Sequence, residues 1–141
     1  MKITIINGPN LNLLGIREPE IYGTTTFENY LQELRDRFPN IEFYYFQSNI
    51  EGELINMLQQ ALASSNAVII NPAGYTHTSV SLADTIAAMQ IPVIEVHISN
   101  IFARETYRQQ SLTGAKAKGC ISGLGLEGYA LATAYLESIL K

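Results

Sequence analysis

The sequence predicts an α/β domain in which helices cover both faces of a five-stranded parallel sheet. Five short apolar runs alternate with longer segments of helical periodicity, which is the pattern of βαβ units. Within each run nearly every position is apolar, as expected for strands that are buried on both faces. The chain has 141 residues, 47% of them apolar, so we expect a single domain over residues 1–141 with a sizeable core.

The apolar runs are rich in β-branched and aromatic residues, which favour strands. They cover residues 3–6, 41–46, 67–70, 92–98 and 119–122. Between them, two segments place apolar residues at the i, i+3, i+4 and i+7 spacing of an amphipathic helix. These stripes are Phe27, Tyr30, Leu31, Leu34 and Phe38, followed by Ile50, Leu54, Met57, Leu58 and Leu62. Residues 80–89 and 125–140 predict two further helices, and the polar segment 100–110 is compatible with another.

Two capping boxes are expected to begin the first two helices. In each, a Ser or Thr precedes a Glu by three residues, so that side chains satisfy the free N–H groups of the first turn. The pairs are Thr25 with Glu28 and Ser48 with Glu51. By analogy, five strands that alternate with helices suggest a flavodoxin-like strand order.

Composition limits the partners and the compartment. Charged residues make up 16% of the chain, against roughly 25% in an average domain, which suggests that other subunits bury part of the surface. The net charge is −4 and no basic cluster stands out, so neither a nucleic acid nor an anionic membrane is an expected partner. A single cysteine, Cys120, fits a reducing compartment. With no signal-peptide pattern and no apolar run near ~20 residues, we expect a cytoplasmic protein.

Polar residues follow three of the predicted strands directly. Parallel strands end at one edge of their sheet, and open α/β sheets bind ligands at that edge. The side chains expected to converge there are Asn10, Asn71, His77, His97 and Ser99. Taken singly, the Asn and Ser residues could instead only form turns.

Glu95 and His97 lie two residues apart in the fourth strand, so both side chains point to the same face. A carboxylate is costly to bury unless it is paired. In a Glu–His pair, the carboxylate orients the imidazole and favours its protonated form, which suits a general acid. The alternative is a hydrogen-bonded core histidine without a catalytic role.

The segment from Gly15 to Gly23 is polar and bounded by glycines, which suit the hinges of a lid. It carries Arg17 and Tyr22. Lowering the pKa of a tyrosine from about 10 to ~7 takes roughly 4 kcal/mol, part of which a neighbouring arginine could supply. The alternative is an ordinary solvated loop.

Two more charged residues have competing interpretations. Arg108 follows the fourth strand, where its guanidinium could bind a carboxylate in bidentate fashion, although surface arginines are common. Asp84 follows Ser81 at capping-box spacing, which is also typical of an acid in the first turn of a helix.

Two motifs are not interpreted as ligand sites. Residues 123–128 match the G-x-G-x-x-G dinucleotide pattern, but we expect no βαβ unit after them, since only 13 residues follow. A zinc site of His77, His97 and Glu95 lacks the i, i+4 spacing of paired histidine ligands.

Four blocks of the sequence resemble type II 3-dehydroquinate dehydratases. They are NGPNLNLLGIREPEIYG, NPAGYTHTS, IEVHISN and GLGLEGY, which begin at residues 7, 71, 94 and 123. The resemblance implies a hydro-lyase of the shikimate pathway, on the route to chorismate and the aromatic amino acids. Such an enzyme converts 3-dehydroquinate to 3-dehydroshikimate by an anti elimination through an enolate. It also implies that no metal and no cofactor is needed.

The resemblance further implies a role for each site residue. Tyr22 would remove a proton next to the ketone, with Arg17 favouring its phenolate. Asn10 would stabilise the enolate through a bound water, and His97, held by Glu95, would protonate the departing hydroxyl. Substrate binding is implied for Asn71, His77, Arg108, the backbone of Ile98 and Ser99, and Asp84, which would reach the site of a neighbouring subunit.

The family's homododecamer, a tetramer of trimers, agrees with the low charge content. The unrelated type I enzymes use a Schiff-base lysine, and no lysine of this chain follows a strand among the polar cluster, which argues against imine catalysis. The chain departs from the family after Arg108, where members often carry His and Tyr around the next serine. Here residues 109–112 are QQSL, which makes local hydrogen bonds and subunit contacts uncertain.

Three other functions are weaker interpretations. A signalling receiver needs an acidic cluster after the first strand, where this chain has Asn7 and Gly8. A flavin- or nucleotide-binding module needs a phosphate loop there, and GPNLNLLG lacks that pattern. A structural role would leave a buried Glu95–His97 pair unexplained.

Overall fold

The computed structural model describes residues 1–16, 19–22 and 24–141, except for the side chains of residues 21 and 22. Five parallel strands form one sheet in this part of the chain: β1 (Lys2–Asn7), β2 (Glu42–Gln47), β3 (Ala67–Asn71), β4 (Val93–His97) and β5 (Gly119–Ser122). The strand order is β2-β1-β3-β4-β5, the flavodoxin-like order that the sequence suggests. The helices are α1 (Pro19–Tyr22), α2 (Phe27–Arg37), α3 (Glu51–Ser64), α4 (Val80–Ala88) and α5 (Glu127–Leu140). No helix of these residues is long and apolar enough to cross a bilayer.

The predicted strands are confirmed, each within one or two residues of its expected ends. The segment 100–110 differs from an α-helix, because it forms two short 3-10 turns, Ile101–Ala103 and Thr106–Arg108. Asn100 caps the first turn through the N–H of Phe102, and Arg104 has extended backbone between the two turns. The extended residue prevents the turns from joining into one helix.

Both predicted capping boxes are wrong. Thr26, not Thr25, caps α2 by accepting a hydrogen bond from the N–H of Asn29 at 3.2 Å. The hydroxyl of Ser48 accepts from the N–H of Ile50 and donates to Glu53, so it does not cap the first turn of α3.

The alternative interpretation of Asp84, as an acid in the first turn of a helix at capping-box spacing from Ser81, is also wrong. Ser79 caps α4, because its hydroxyl accepts from the N–H of Leu82 at 2.9 Å and donates to Glu51 of α3. Asp84 lies one turn further along α4, with an exposed side chain.

Two apolar layers enclose the sheet. On one face, Ile3, Ile5 and Ile69 pack with residues of α2 and α5. On the other face, Ile6 and Ile70 pack with residues of α3 and α4. Successive side chains of β1 and β3 thus enter opposite layers, which is why most positions of these strands are apolar.

A buried polar cluster joins α5 to the ends of β1 and β3. The hydroxyl of Tyr129 donates to Asn7 Oδ1 at 2.7 Å and lies 3.3 Å from Asn71 Nδ2, which donates to it. Tyr129 and Asn7 are completely buried. Because both strands end here, the cluster fixes the edge of the sheet at which the strand order reverses.

We expect Tyr129→Phe to lower the free energy of unfolding by about 1–3 kcal/mol, because it leaves Asn7 Oδ1 buried without its donor. Tyr44→Phe, at an exposed position of the edge strand β2, is the matched control and should change it by less than about 0.5 kcal/mol. Chemical denaturation at one protein concentration measures both variants. Equal stabilities would show that the cluster contributes nothing.

Candidate active site

A pocket of about 720 Å³, which includes space open to solvent, lies at the carboxyl edge of the sheet. The loop after β1 and the ends of β3 and β4 contribute to its lining. Seven of the residues predicted from the sequence line it: Asn10, Asn71, His77, His97, Ile98, Ser99 and Arg108. The five side chains expected to converge at this edge, Asn10, Asn71, His77, His97 and Ser99, thus line one pocket, and the role of each residue stays a prediction.

The loop after β1 is held tightly against the end of β3. The N–H of Gly8 donates to the carbonyl of Asn71 at 2.8 Å, and a Cβ at residue 8 would lie 2.5 Å from the carbonyl oxygen of Pro72. Asn10 has left-handed backbone (φ 70°), and its N–H donates to Asn49 Oδ1 at 3.0 Å. A glycine is thus required at position 8 so that Asn10 can turn toward the pocket.

Asn71 is held in one orientation. Its Nδ2 donates to Tyr129, and its Oδ1 accepts from the N–H of Ala73 at 3.0 Å. Ala73 has left-handed backbone (φ 54°), which is uncommon for a residue with a Cβ. One hydrogen of the amide group remains available for a ligand in the pocket.

Glu95 and His97 form the predicted buried pair. His97 Nε2 lies 2.6 Å from Glu95 Oε2, and both residues are buried in β4. Burial raises the pKa of the Glu95 carboxyl, but the hydrogen bond and charge of His97, with the nearby hydroxyls of Thr113 and Thr76, hold it below its ordinary value. An ionised Glu95 accepts a hydrogen bond from Nε2 of the His97 ring, which leaves Nδ1 for a ligand in the pocket. Such an imidazole can donate a proton to a bound ligand.

His77 faces the pocket beside this pair. Its Nδ1 lies 2.7 Å from the carbonyl oxygen of Gln110, so Nδ1 carries a hydrogen and donates it. The other ring nitrogen, Nε2, then remains for a ligand hydroxyl. Residue 110 lies in the segment that departs from the family pattern, but the contact uses its backbone and does not depend on its side chain.

Arg104 also lines the pocket and is not predicted from the sequence. Its Nη1 lies 3.4 Å from Ser99 Oγ, and Arg108 Nε lies 2.8 Å from Glu105 Oε2. The signal that could have identified Arg104 is its i, i+4 spacing from Arg108 within one polar segment. The two guanidiniums give the pocket a positive lining in a chain of net charge −4.

The remaining predicted residues have two outcomes: Asp84 lies outside this pocket, and the others fall outside what the structure describes. Asp84 is exposed on α4, away from the lining residues. Arg17 lies outside the described residues. Tyr22 ends α1, but its side chain lies outside them as well. The phenol base, its arginine and the lid therefore stay predictions.

The described side chains place few other reactive groups near the pocket. No three His, Cys, Asp or Glu side chains among the described residues could hold a metal ion together. Among those residues the pocket lining contains no lysine.

The chain is similar to dehydroquinases over almost its whole length. The family model described as dehydroquinase class II matches residues 1–137. The 3-dehydroquinate dehydratase of Fusobacterium nucleatum subsp. nucleatum is 50% identical, over 96% of this chain and 96% of that protein. The one from Helicobacter hepaticus is 53% identical, over 94% and 85%. The type II dehydroquinase from Butyrivibrio crossotus superposes with a TM-score of 0.94, at 43% identity, over 97% of each chain.

Proposed function

The chain belongs to the class II dehydroquinase family, and we propose that it eliminates water from 3-dehydroquinate with the side chains that line this pocket. Its activity is that of a type II 3-dehydroquinate dehydratase, a hydro-lyase of the shikimate pathway. The observation that supports the assignment of the site is the buried Glu95–His97 pair at the pocket floor. A non-enzymatic or nucleotide-binding module is not favoured, because the curated relatives at about half identity are named as dehydratases.

The elimination needs one side chain that acts as a base and one that acts as an acid, and the substrate is polar and anionic. Arg17 favours the phenolate form of Tyr22. This phenolate takes the proton from the carbon next to the ketone, and the electron pair of that C–H bond forms an enolate. The enolate then expels the hydroxyl group as the C–O bond breaks. His97 gives its proton to that oxygen, so that water leaves and a double bond conjugated to the ketone remains.

The other pocket residues bind and orient the substrate. Asn10 stabilises the enolate through a bound water, and Arg108 holds the substrate carboxylate in bidentate fashion. Asn71 keeps one amide hydrogen, and His77 keeps one ring nitrogen, for a substrate hydroxyl. The reaction transfers protons and no electrons, so the proposed mechanism uses neither a redox cofactor nor a metal.

The proposed assembly is a homododecamer built as a tetramer of trimers, in the cytoplasm. Apolar side chains of α5 are exposed on the isolated chain, among them Leu131, Tyr135 and Ile139. With only 16% charged residues, the chain has little polar surface with which to cover such a face. Asp84 is exposed outside its own pocket, which leaves it available to the site of a neighbouring subunit.

We expect the purified protein to convert 3-dehydroquinate to a product with the ultraviolet absorbance of a conjugated enone, at the same rate with and without a metal chelator. Borohydride added with substrate should not inactivate it, because no lysine forms an imine. A rate that falls with chelator, or inactivation by borohydride, would contradict this mechanism.

Tyr22→Phe and His97→Ala should separate the two proton transfers. Each should lower kcat by about 10²- to 10⁴-fold, the usual contribution of an acid or base. His97→Ala should still exchange the substrate proton with deuterated solvent, because Tyr22 remains, whereas Tyr22→Phe should not. The exchange is followed by NMR. Substantial turnover by Tyr22→Phe would remove that residue as the base.

Complementation tests the proposed role of Asp84. We expect Asp84→Ala and His97→Ala to be nearly inactive alone. When the two variants are unfolded together and co-assembled, some sites combine the intact His97 of one subunit with the intact Asp84 of its neighbour, so activity should return. Sedimentation measures the assembly of each sample. Hybrid assemblies that stay inactive would contradict a shared site.

A further inference from the structure

Behind the pocket, three hydroxyl groups surround the carboxylate of Glu95. Thr76 Oγ1 lies 2.7 Å and Ser111 Oγ 3.0 Å from Glu95 Oε2, the same oxygen that contacts His97. Thr113 Oγ1 lies 2.8 Å from Thr76 Oγ1. Both threonines are completely buried. None of the three hydroxyl residues lines the pocket, so none of them contacts a ligand there.

The hydrogens of this cluster fit a pattern of donation that ends at the carboxylate, although Thr76 Oγ1 and Ser111 Oγ also lie 2.5 Å apart and either of them could donate to the other. Each hydroxyl has a single hydrogen, and an ionised carboxylate only accepts. Thr113 can donate to Thr76, and Thr76 to Glu95. Ser111 accepts from the N–H of Gly114 at 2.8 Å and donates to Glu95. Every hydrogen then points toward the carboxylate, which is the arrangement that an ionised Glu95 requires.

The hydroxyl donors Thr76 and Ser111 both contact Oε2 of Glu95. Glu95 Oε1 is buried and has no hydrogen-bond partner in the described part of the chain, so the cluster concentrates its support on Oε2. Within the described part of the chain, a second titratable residue beside Glu95 is Cys120, its register partner on the neighbouring strand β5. Burial, with the charge of Glu95, raises the pKa of this thiol to about 11, so it is neutral near pH 7.

We propose that Thr76 and Ser111 are positioning residues for the dehydratase reaction, which hold Glu95 ionised and aimed at His97. They act through Glu95, and neither of them touches the substrate. This inference rests on the proposed role of His97 as the acid. The inference is that the Glu–His pair needs hydroxyl groups from two loops in order to donate its proton.

The loops that supply the hydroxyls are themselves fixed to each other. The N–H of Leu112 donates to the carbonyl of Thr76 at 2.7 Å, which joins the segment after β3 to the segment before β5. A Cβ at Gly114 would lie 2.8 Å from both Ser111 Oγ and Cys120 Sγ. The position of Ser111 thus depends on a glycine three residues later.

Loss of a hydroxyl should make the Glu–His pair more basic. The anionic state of the pair, with neutral His97 and ionised Glu95, loses the most stabilisation when a donor to Oε2 is removed. The pair then takes up its proton at higher pH, and His97 becomes a weaker acid. kcat should fall because proton donation is slower, while KM should stay the same because the pocket surface is unchanged.

The test compares Thr76→Val, which removes the hydroxyl at nearly constant volume, with Thr76→Ser, which keeps it. We expect Thr76→Val to lower kcat by about fivefold to thirtyfold with KM within about twofold, and Thr76→Ser to restore most of kcat. Thr4→Val is the matched control, because Thr4 is equally buried and bonds to Ser65 at 2.6 Å, far from the pocket. Ser111→Ala should act in the same direction and carries the test if Thr76→Val does not fold.

A second measurement does not depend on activity. The chain has two histidines, so NMR can follow both rings at one pH. In Thr76→Val the ring signals of His97 should shift, because the carboxylate bound to this ring has lost a donor, while those of His77, bound to a backbone carbonyl, should not.

Four outcomes would overturn the inference: an unchanged kcat, equal losses in Thr76→Val and Thr76→Ser, an equal loss in Thr4→Val, or unchanged ring signals of His97. Full activity of His97→Ala would instead contradict the proposed function itself, whatever the threonine variants do. The two failures are therefore distinguishable.

Discussion

The requirement that organises this site is the burial of one negative charge beneath the pocket. Glu95 is completely buried in β4, with strands on both sides of it. An ion taken out of water loses several kcal/mol of solvation unless other groups replace the water. His97 replaces part of it from the pocket side, and Thr76 and Ser111 replace more from behind. The loop after β3 and the segment before β5 thus owe their positions in part to a carboxylate that no ligand touches.

A second buried polar cluster occupies the opposite face of the same sheet edge. Tyr129 of α5 holds Asn7 and Asn71 there, while Glu95 holds His97 on the face of α3 and α4. Asn71 and His97, two of the side chains that we expect to act on substrate, are therefore fixed from opposite layers. Such support from both faces keeps catalytic groups in place without contributions from the substrate.

The sequence predicts the strands, their parallel arrangement and the Glu95–His97 pair well, because all of these follow from spacing within one segment. It does not predict the hydroxyls of Thr76 and Ser111, which lie 35 residues apart and meet only through the fold. The helix caps are wrong for a related reason. Which of several neighbouring Ser and Thr residues caps a helix depends on the approach of the chain, and Ser48 bonds to Glu53 instead. The sequence also does not predict that one amide hydrogen of Asn71 is donated to Tyr129.

The departure from the family pattern after Arg108 has a physical explanation in these contacts. Residue 110 contributes a carbonyl oxygen to His77, which any amino acid supplies. The hydroxyl of Ser111, in contrast, is used directly by Glu95 and Gly114. Substitution of the side chain at 110 therefore preserves the contact to His77, whereas substitution of the serine would remove a donor from a buried charge. The constraint on this segment lies in its backbone path and in one hydroxyl group, so its other side chains are free to vary as far as the pocket is concerned.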